Sequence, residues 1–225
     1  MFYDATFILL IPAILLTLYA QFKVKNTYRR FSQVYSGSGR QASIVAREIL
    51  DAGGLQHVRI ERVAGELTDH YDPRDQVLRL STGVYDSPSI AAYGIAAHEA
   101  GHAMQHKNKY VPLSIRSMIV PVASFGSNAA MPLFLAGLIF QFGLLMDIGI
   151  IFFSLAVVFQ VVTLPVEFNA SSRAMALLGS GNYVNSVELG MVKKVLGAAA
   201  LTYVAAMAVA LLNLIRLVIL RGSRN

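Results

Sequence analysis

The sequence contains no cysteine and few charged residues. Without cysteine the chain has no disulfide framework, and nitrogen and oxygen ligands must bind any metal ion. Charged residues make up only 14% of the 225 residues, whereas soluble domains carry about 25%. The mean hydropathy of +0.54 agrees with this deficit and predicts that a lipid bilayer surrounds part of the chain. The net charge of +6 does not predict a nucleic-acid partner, because basic residues flanking membrane helices commonly raise the pI.

Apolar runs predict about four membrane-spanning helices. Residues 1–22 form the first, an anchor whose apolar core is followed rather than preceded by basic residues, unlike that of a cleaved signal peptide. Residues 129–166 are too long for one span and predict a transmembrane hairpin with Asp147 at its outer turn and spans near 130–146 and 149–165. Residues 196–225 contain the last span, and its many alanines suit close helix packing in lipid.

The distribution of basic residues predicts the side on which the remaining segments lie. The four basic residues between positions 23 and 30 place the region after the first span in the cytoplasm. Because a hairpin returns the chain to its starting side, residues 23–128 and 167–195 are both expected there. Lys193 and Lys194 agree with this topology. Three arginines oppose it, since they would lie at or beyond the outer end of the last span: Arg216, Arg221 and Arg224.

The region after the first span predicts a small α+β unit. Apolar residues at helical spacing indicate helices, and alternating apolar residues indicate strands. The predicted elements are a helix over 41–52, strands over His57–Val63 and Val77–Ser81, and a helix from Ser87 and Pro88 to about Asn108. The predicted fold class is therefore mostly α, with multi-pass membrane helices and a small α+β core.

The second predicted helix carries the sequence His98-Glu99-Ala100-Gly101-His102. Residues four apart lie on one face of a helix, so His98 and His102 can bind one ion together. Glu99 projects beside them, where it can accept a proton from a metal-bound water without binding the metal itself. This is the HExxH arrangement of zinc metalloproteases. It predicts a hydrolase in which zinc acidifies a water molecule and Glu99 is the catalytic base.

Two histidines need a third ligand. The metzincin pattern is absent, because Asn108 stands where a third histidine is required. His106 lies a further turn along the helix, and three histidines spaced over about 12 Å cannot bind one ion. Glutamates are the remaining candidates: Glu66, Glu167 and Glu188. Glu167 is favoured because it follows the hairpin, where a buried carboxylate is costly unless it is paired or bound to metal.

Four runs of the sequence resemble the YugP-like family of bacterial neutral zinc metallopeptidases: Leu67–Arg74, Val77–Ser81, Ser89–His106 and Pro165–Phe168. The resemblance covers nearly the whole chain, including the anchor and the last span. It implies a zincin-like metallopeptidase core with one Zn²⁺ per chain, in a multi-pass protein of the bacterial inner membrane. The basic residues after the first span predict that the active site faces the cytoplasm. The resemblance implies metalloprotease chemistry but no substrate. The leading hypothesis is that the chain acts on membrane or membrane-proximal polypeptides at the cytoplasmic face.

More distantly, the layout is similar to that of membrane proteases of the HtpX type, in which the glutamate ligand begins an E-x-x-x-D segment. The present chain has Ser171 where that pattern has aspartate. The aspartate is expected to orient a ligand histidine, a role worth about 10–100-fold in affinity or activity. Ser171, Asn169 and Asp69 are the candidates for this role here.

Supporting roles remain open among several residues. The resemblance to gluzincins predicts an edge strand that pairs with an extended substrate, and its residues would be Val77, Leu78, Arg79, Leu80 and Ser81. His106 is expected to contact a ligand, to face substrate or simply to be exposed. The candidates for stabilising the oxyanion are His70, Tyr71, Arg173 and Tyr183.

Two other functional classes compete with the protease. A catalytically inactive metal-binding membrane scaffold is disfavoured because His98, Glu99, His102 and Glu167 are all present. A transporter would be expected to carry ionisable residues within its spans, whereas the predicted hairpin has only Asp147, at its turn.

Overall fold

The computed structural model describes residues 5–223. Two charged residues lie outside this range: Asp4, which precedes the apolar core of the predicted anchor, and Arg224, one of the arginines that oppose the predicted topology. Within it, a 3₁₀ helix (Ala5–Leu10) precedes seven α-helices and three strands. These are α1 (Ile11–Phe31), α2 (Ala42–Ala52), β1 (Arg59–Val63), β2 (His70–Asp72), β3 (Val77–Ser81), α3 (Thr82–Tyr85), α4 (Ile90–Lys107), α5 (Val111–Ile139), α6 (Gly143–Ser180) and α7 (Ser186–Gly222).

Among the described residues, four helical segments are long and apolar enough to cross a membrane: Thr6–Phe31, Val111–Ile139, Gly143–Ser180 and Ser186–Gly222. Together with a three-stranded sheet, they confirm the predicted fold class of multi-pass membrane helices with a small α+β core. Every one of these helices is longer than the span predicted from the sequence. Only their apolar stretches signal a span, whereas the helices continue into more polar sequence.

The hairpin turns earlier than the sequence predicts. It reverses over residues 140–142, between α5 and α6, and Asp147 lies within α6. At the turn, the N–H of Phe142 donates to the carbonyl of Gly137 at 2.9 Å, and Gln141 has a φ of +53°. A Cβ at Gly137 would lie 2.6 Å from the backbone nitrogen of Met146, so glycine permits the close approach of the two helices. The turn could not be predicted from hydrophobicity, because it lies inside a continuous apolar run.

Asp147 pairs with an arginine of α7. Its Oδ1 lies 2.8 Å from Nε of Arg221, and the Arg216 guanidinium lies 4.8 Å from the ring centroid of Phe7. Two of the three arginines that oppose the predicted topology, Arg216 and Arg221, therefore have nearby partners that offset the cost of their charge at this position. An arginine paired with a carboxylate, as Arg221 is with Asp147, is less unfavourable at a membrane boundary than an isolated one.

Helix α6 passes through Pro165 without interruption. The sequence analysis ended the transmembrane hairpin at residue 166, directly after this proline. Membrane helices tolerate internal proline because neighbouring groups can satisfy the freed carbonyl. Glu167 therefore lies in the middle of a 38-residue helix and not at a helix N-terminus.

The chain forms two compact units. Of the described residues, the apolar unit contains 5–21, Val111–Pro165 and 201–223. The α+β unit contains Phe22–Tyr110 and Val166–Ala200. Residues 111–128, which the sequence analysis assigned to the cytoplasmic portion, therefore belong to the apolar unit.

The α+β unit has its own core. The fully buried large side chains on α2, α4 and the sheet include Ile49, Leu50, Leu78, Leu80 and Tyr93. The strand order is β1-β3-β2, with β1 parallel and β2 antiparallel to β3.

The prediction that β3 is an edge strand is wrong. Residues Val77, Leu78, Arg79, Leu80 and Ser81 form the central strand, and both of its edges pair with other strands. The prediction failed because β2 has only three residues, too few to produce a visible alternation. The most apolar strand takes the centre, where it is covered best.

Candidate metal centre

Helix α4 carries both histidines on one face. Its N-cap is Ser89, two residues later than predicted, and the Ser89 hydroxyl accepts from the N–H of Ala92 at 3.2 Å. Gly101 brings α4 against α6, since a Cβ there would lie 2.8 Å from the carbonyl oxygen of Ala170. The small residue between the histidines therefore determines how closely Glu167 can approach them.

Three side chains converge between these helices. Nε2 of His98 lies 3.3 Å from Oε2 of Glu167, and Nε2 of His102 lies 3.6 Å from the same oxygen. In the described part of the chain, these residues form a group whose potential ligand atoms all lie within 4.8 Å of one another. Tetrahedral zinc with bonds of about 2.0–2.1 Å separates its ligand atoms by about 3.3 Å. The group therefore has the chemistry and dimensions that fit zinc.

The other two candidate glutamates lie outside this group. The Glu188 carboxylate accepts from the N–H groups of Gly37 and Asn185, at 2.7 and 2.8 Å. It thus joins the 36–38 loop to the start of α7. Glu66 lies exposed in the loop between β1 and β2. Of the three glutamates that the sequence left open, the structure brings only Glu167 to the histidine pair.

The second ring nitrogen of each histidine, Nδ1, lies within hydrogen-bond distance of another side chain. Nδ1 of His98 lies 3.2 Å from Oγ of Ser171, and Nδ1 of His102 donates to Oε1 of Gln105 at 2.9 Å. Both contacts direct Nε2 towards Glu167. Metal-binding histidines are commonly fixed in this way, since a hydrogen bond at one nitrogen selects the tautomer that binds through the other. Ser171 was among the predicted orienting residues, whereas Asp69 accepts from the N–H and hydroxyl of Ser81 instead.

Gln105 is the functional candidate that sequence reasoning missed. It is completely buried, and its Nε2 donates to the carbonyl of Val166 at 2.8 Å and to Oδ1 of Asn169 at 3.0 Å. Gln105 therefore connects His102 to the segment of α6 that carries Glu167. A polar residue three positions after His102 in an alanine-rich helix was the available signal. Its distant partner on α6 could not be recognised from spacing.

Glu99 faces β2. Its Oε2 accepts from the backbone N–H of Tyr71 at 3.0 Å, and the residue is 9% exposed. Glu99 lies outside the group of potential ligands, as HExxH chemistry requires. Because the N–H of Tyr71 points to Glu99, the edge of β2 remote from β3 faces the candidate centre.

The remaining predicted residues have other contacts. His70 is exposed and its Nδ1 lies 2.8 Å from the carbonyl of Thr68. Nδ1 of His106 lies 2.9 Å from the Tyr71 hydroxyl, so this histidine pairs with β2. Nε of Arg173 donates to Oδ1 of Asn169 at 2.8 Å. The ring of Tyr183 lies 5.4 Å from the Arg40 guanidinium.

Burial and charge shift the pKa of several groups in the α+β unit. Burial lowers the pKa of His102, but the carboxylates of Glu167 and Glu99 raise it, and the net pKa lies above the ordinary value. Burial raises the pKa of Asp69 despite its hydrogen bonds from Ser81. Burial and the charge of Asp72 raise the pKa of the Tyr71 hydroxyl. The carboxylates near His102 thus favour a positive charge at the centre.

Comparisons with known proteins agree with this geometry. Residues 6–222 match the protein family described as "Putative neutral zinc metallopeptidase". The chain is also 50% identical over 212 residues to a protein of Bacillus subtilis (strain 168) named "Putative membrane protease YugP". That match covers 94% of each of the two chains. No solved structure gives a significant match.

Proposed function

Since the chain belongs to the neutral zinc metallopeptidase family, we propose that it is a membrane-embedded endopeptidase that hydrolyses membrane or membrane-proximal polypeptides. The observation that carries this proposal is the convergence of His98, His102 and Glu167 next to Glu99. Two imidazole nitrogens and one carboxylate oxygen leave a fourth position open for chemistry, as in catalytic zinc sites.

His98, His102 and Glu167 would hold one zinc ion per chain. When bound, zinc supplies an acidified water molecule and polarises the carbonyl of the scissile peptide bond. Ser171 and Gln105 orient the two imidazoles, so that the basic Nε2 lone pairs are directed to the ion. The helix contact at Gly101 holds the glutamate of α6 at the distance that a shared ion requires.

Glu99 acts as the general base. Its carboxylate accepts the proton of the attacking water and then delivers it to the leaving amine. The N–H of Tyr71 fixes one of its oxygens and leaves the other available. A carboxylate held by one backbone donor keeps its orientation between proton acceptance and proton donation.

The polypeptide would lie along β2. Tyr71 directs its backbone N–H to Glu99 at the outer edge of this strand. The hydroxyl of the same residue lies 2.9 Å from Nδ1 of His106. Because Glu99 already accepts from the N–H of Tyr71, an extended peptide would pair with this edge through the backbone carbonyl of Tyr71. His106 and Tyr71 are then placed to contact the substrate beside the reacting carbonyl.

The principal experiment measures metal content and cleavage on the full-length protein in detergent. Wild type is expected to contain one zinc per chain and to cleave casein. Glu99→Gln should retain zinc but lose cleavage by at least about 1,000-fold, because the proton acceptor is removed while the ligands remain. Glu66→Gln is the matched control, since it makes the same change at an exposed loop position and should remain active.

Ligand variants test the centre itself. His98→Ala and Glu167→Ala should each lose zinc, whereas Glu188→Ala should retain it. Normal zinc content in Glu167→Ala would contradict the proposed ligand. Wild type that binds zinc but cleaves no polypeptide in any lipid environment would leave the inactive metal-binding scaffold as the better description.

We also propose that the centre faces the cytoplasm of a bacterial cell. Reporter fusions after Arg30 and after Phe142 test this placement. The reporter at Arg30 should be active only in its cytoplasmic form, and that at Phe142 only in its external form. The reverse pattern would place the metal centre outside.

A further inference from the structure

A basic groove of about 650 Å³ lies between the C-terminal end of α1 and the first third of α7. It shares no residue with the candidate metal centre. All of the residues that line it are neutral or basic. Its hydrogen-bond donors are Lys23, Asn26, Thr27, Arg30 and Lys194.

Buried packing holds the walls of the groove in place. Phe31 is 5% exposed and forms an apolar cluster with Ala91 and Val195, which joins the end of α1 to α4 and α7. The guanidinium of Arg30 lies 5.4 Å from the centroid of the Phe31 ring. The groove is therefore part of the packed α+β unit and does not depend on a chance arrangement of surface side chains.

The basic residues lie at the positions where the sequences of α1 and α7 change between apolar and polar. In α1 the apolar sequence ends at Phe22, directly before Lys23. In α7 it begins at Val195, directly after Lys194. Both helices are long and apolar enough to span a membrane. Such transitions lie at the level of the lipid headgroups, where basic pockets between membrane helices bind anionic headgroups.

We propose that this groove binds the phosphate headgroup of an anionic phospholipid. A phosphodiester accepts hydrogen bonds from ammonium, guanidinium, amide and hydroxyl groups, and the lining supplies all four kinds. A zwitterionic lipid carries its own cation, which the basic lining would repel. The apolar sequence that continues along each helix suits the acyl chains of the same lipid.

Native mass spectrometry of the full-length protein in dodecyl maltoside tests this proposal. The probes are phosphatidylglycerol and phosphatidylcholine of identical acyl chains. Wild type should bind one phosphatidylglycerol in preference to phosphatidylcholine. The double variant Arg30→Gln/Lys194→Gln should bind phosphatidylglycerol about 25-fold more weakly, since each basic group near a membrane surface contributes about a factor of five.

The chain offers a matched charge control. Arg29→Gln/Lys193→Gln makes the same change on the same two helices, at exposed neighbours that do not line the groove. This variant should bind phosphatidylglycerol within about twofold of wild type. An equal loss in both double variants would overturn the proposal, because it would mean that the lipid responds only to the general charge of the surface.

A steric pair tests the groove without changing charge. Gly197 lines the groove, and a Cβ there would meet no other atom within 4 Å. Gly197→Leu should therefore fold and fill the groove, weakening phosphatidylglycerol binding at least tenfold. Gly190→Leu is the control, because Gly190 lies on the same helix with equally open space but outside the lining. Unchanged binding in Gly197→Leu would place the lipid elsewhere.

Inorganic phosphate separates a lipid site from a simple anion site. At 10 mM it should displace little phosphatidylglycerol, since it lacks the acyl chains that contribute to binding. Complete displacement would overturn the assignment to a lipid. Thermal unfolding without added lipid verifies that each variant is folded. Zinc content and peptidase activity do not enter the readout, so this proposal can fail independently of the proposed function.

Discussion

The two compact units obtain their stability from different surroundings. In the α+β unit, large apolar side chains such as Tyr93 and Leu50 are completely buried by the unit's own helices and sheet. The apolar unit has a smaller buried cluster of Phe134, Met146 and Leu217, and many of its other large apolar side chains are exposed, such as Met118 by 75% and Phe140 by 76%. The first unit has a protein core, whereas the second requires lipid to cover its surface. Substitutions of the same type should therefore have different effects in the two units.

The two units also differ in the hydrogen bonding of their buried side-chain amides. Gln105 in the α+β unit makes hydrogen bonds through both its oxygen and its nitrogen. Asn213 on α7 has a buried Oδ1 without a hydrogen-bond partner among the described residues. The hydrogen bonds of Gln105 hold this amide in one position next to the candidate metal centre, whereas an unsatisfied buried amide costs stability.

The largest expected difference concerns a matched pair of leucines. Leu50→Ala should lower the free energy of unfolding by about 2–5 kcal/mol, because it leaves a cavity in a closed core. Leu15→Ala in the apolar unit should lower it by less than about 1 kcal/mol, since Leu15 is 60% exposed and faces lipid. Chemical unfolding in detergent, followed by circular dichroism, measures both. Equal losses would show that the apolar unit is held by its own packing.

A smaller effect is expected at the contact between α4 and α6. Gly101→Ala adds a methyl group 2.8 Å from the carbonyl oxygen of Ala170, and overpacking of this kind costs about 1–3 kcal/mol. Separation of the helices should also weaken zinc binding, because Glu167 moves away from both histidines. Gly190→Ala is the control, and it should raise stability slightly, as alanine favours helices. Equilibrium dialysis with zinc measures the first effect, and unaltered zinc affinity in Gly101→Ala would contradict it.

Parts of this architecture could be predicted because their signals are local. The HExxH spacing predicted the helical face that carries His98 and His102, and the apolar runs predicted four spans. Glu167 could be predicted because burying a carboxylate beside the membrane costs free energy unless it is paired or bound to a metal ion. The structure brings these residues together, and their assignment as ligands stays a prediction that the metal content of the ligand variants tests.

The features that were missed depend on contacts distant in sequence. The role of Gln105 requires a partner 61 residues away, on a helix that the sequence divided at Pro165. The edge position of β2 depends on pairing by only three residues. The turn over residues 140–142 lies inside an apolar run, where hydrophobicity cannot distinguish a turn from a span.

Replacement of Gln105, the hydrogen-bonded amide, should lower zinc affinity more than it lowers the stability of the fold. Gln105→Met preserves the size of the side chain but removes the hydrogen bonds to His102 and Val166. Loss of such an orienting contact typically reduces metal affinity by about 10–100-fold. Ser171→Ala should have a smaller effect, because the longer 3.2 Å contact to His98 is only partly buried. Competition with a zinc chelator measures both affinities. Equal zinc affinity in Gln105→Met and wild type would show that Gln105 only supports packing.

Replacement of the unsatisfied amide should have the smallest effect, and of opposite sign. Asn213→Leu replaces a buried oxygen that has no hydrogen-bond partner within residues 5–223 by an apolar side chain of similar size. Removing an unpaired buried polar group is neutral or stabilising, by up to about 1 kcal/mol. Zinc affinity should not change, because Asn213 belongs to the apolar unit and the candidate ligands to the other. A clear loss of stability in Asn213→Leu would show that this amide binds a lipid or another chain, and that the apolar unit also selects buried polar groups for position.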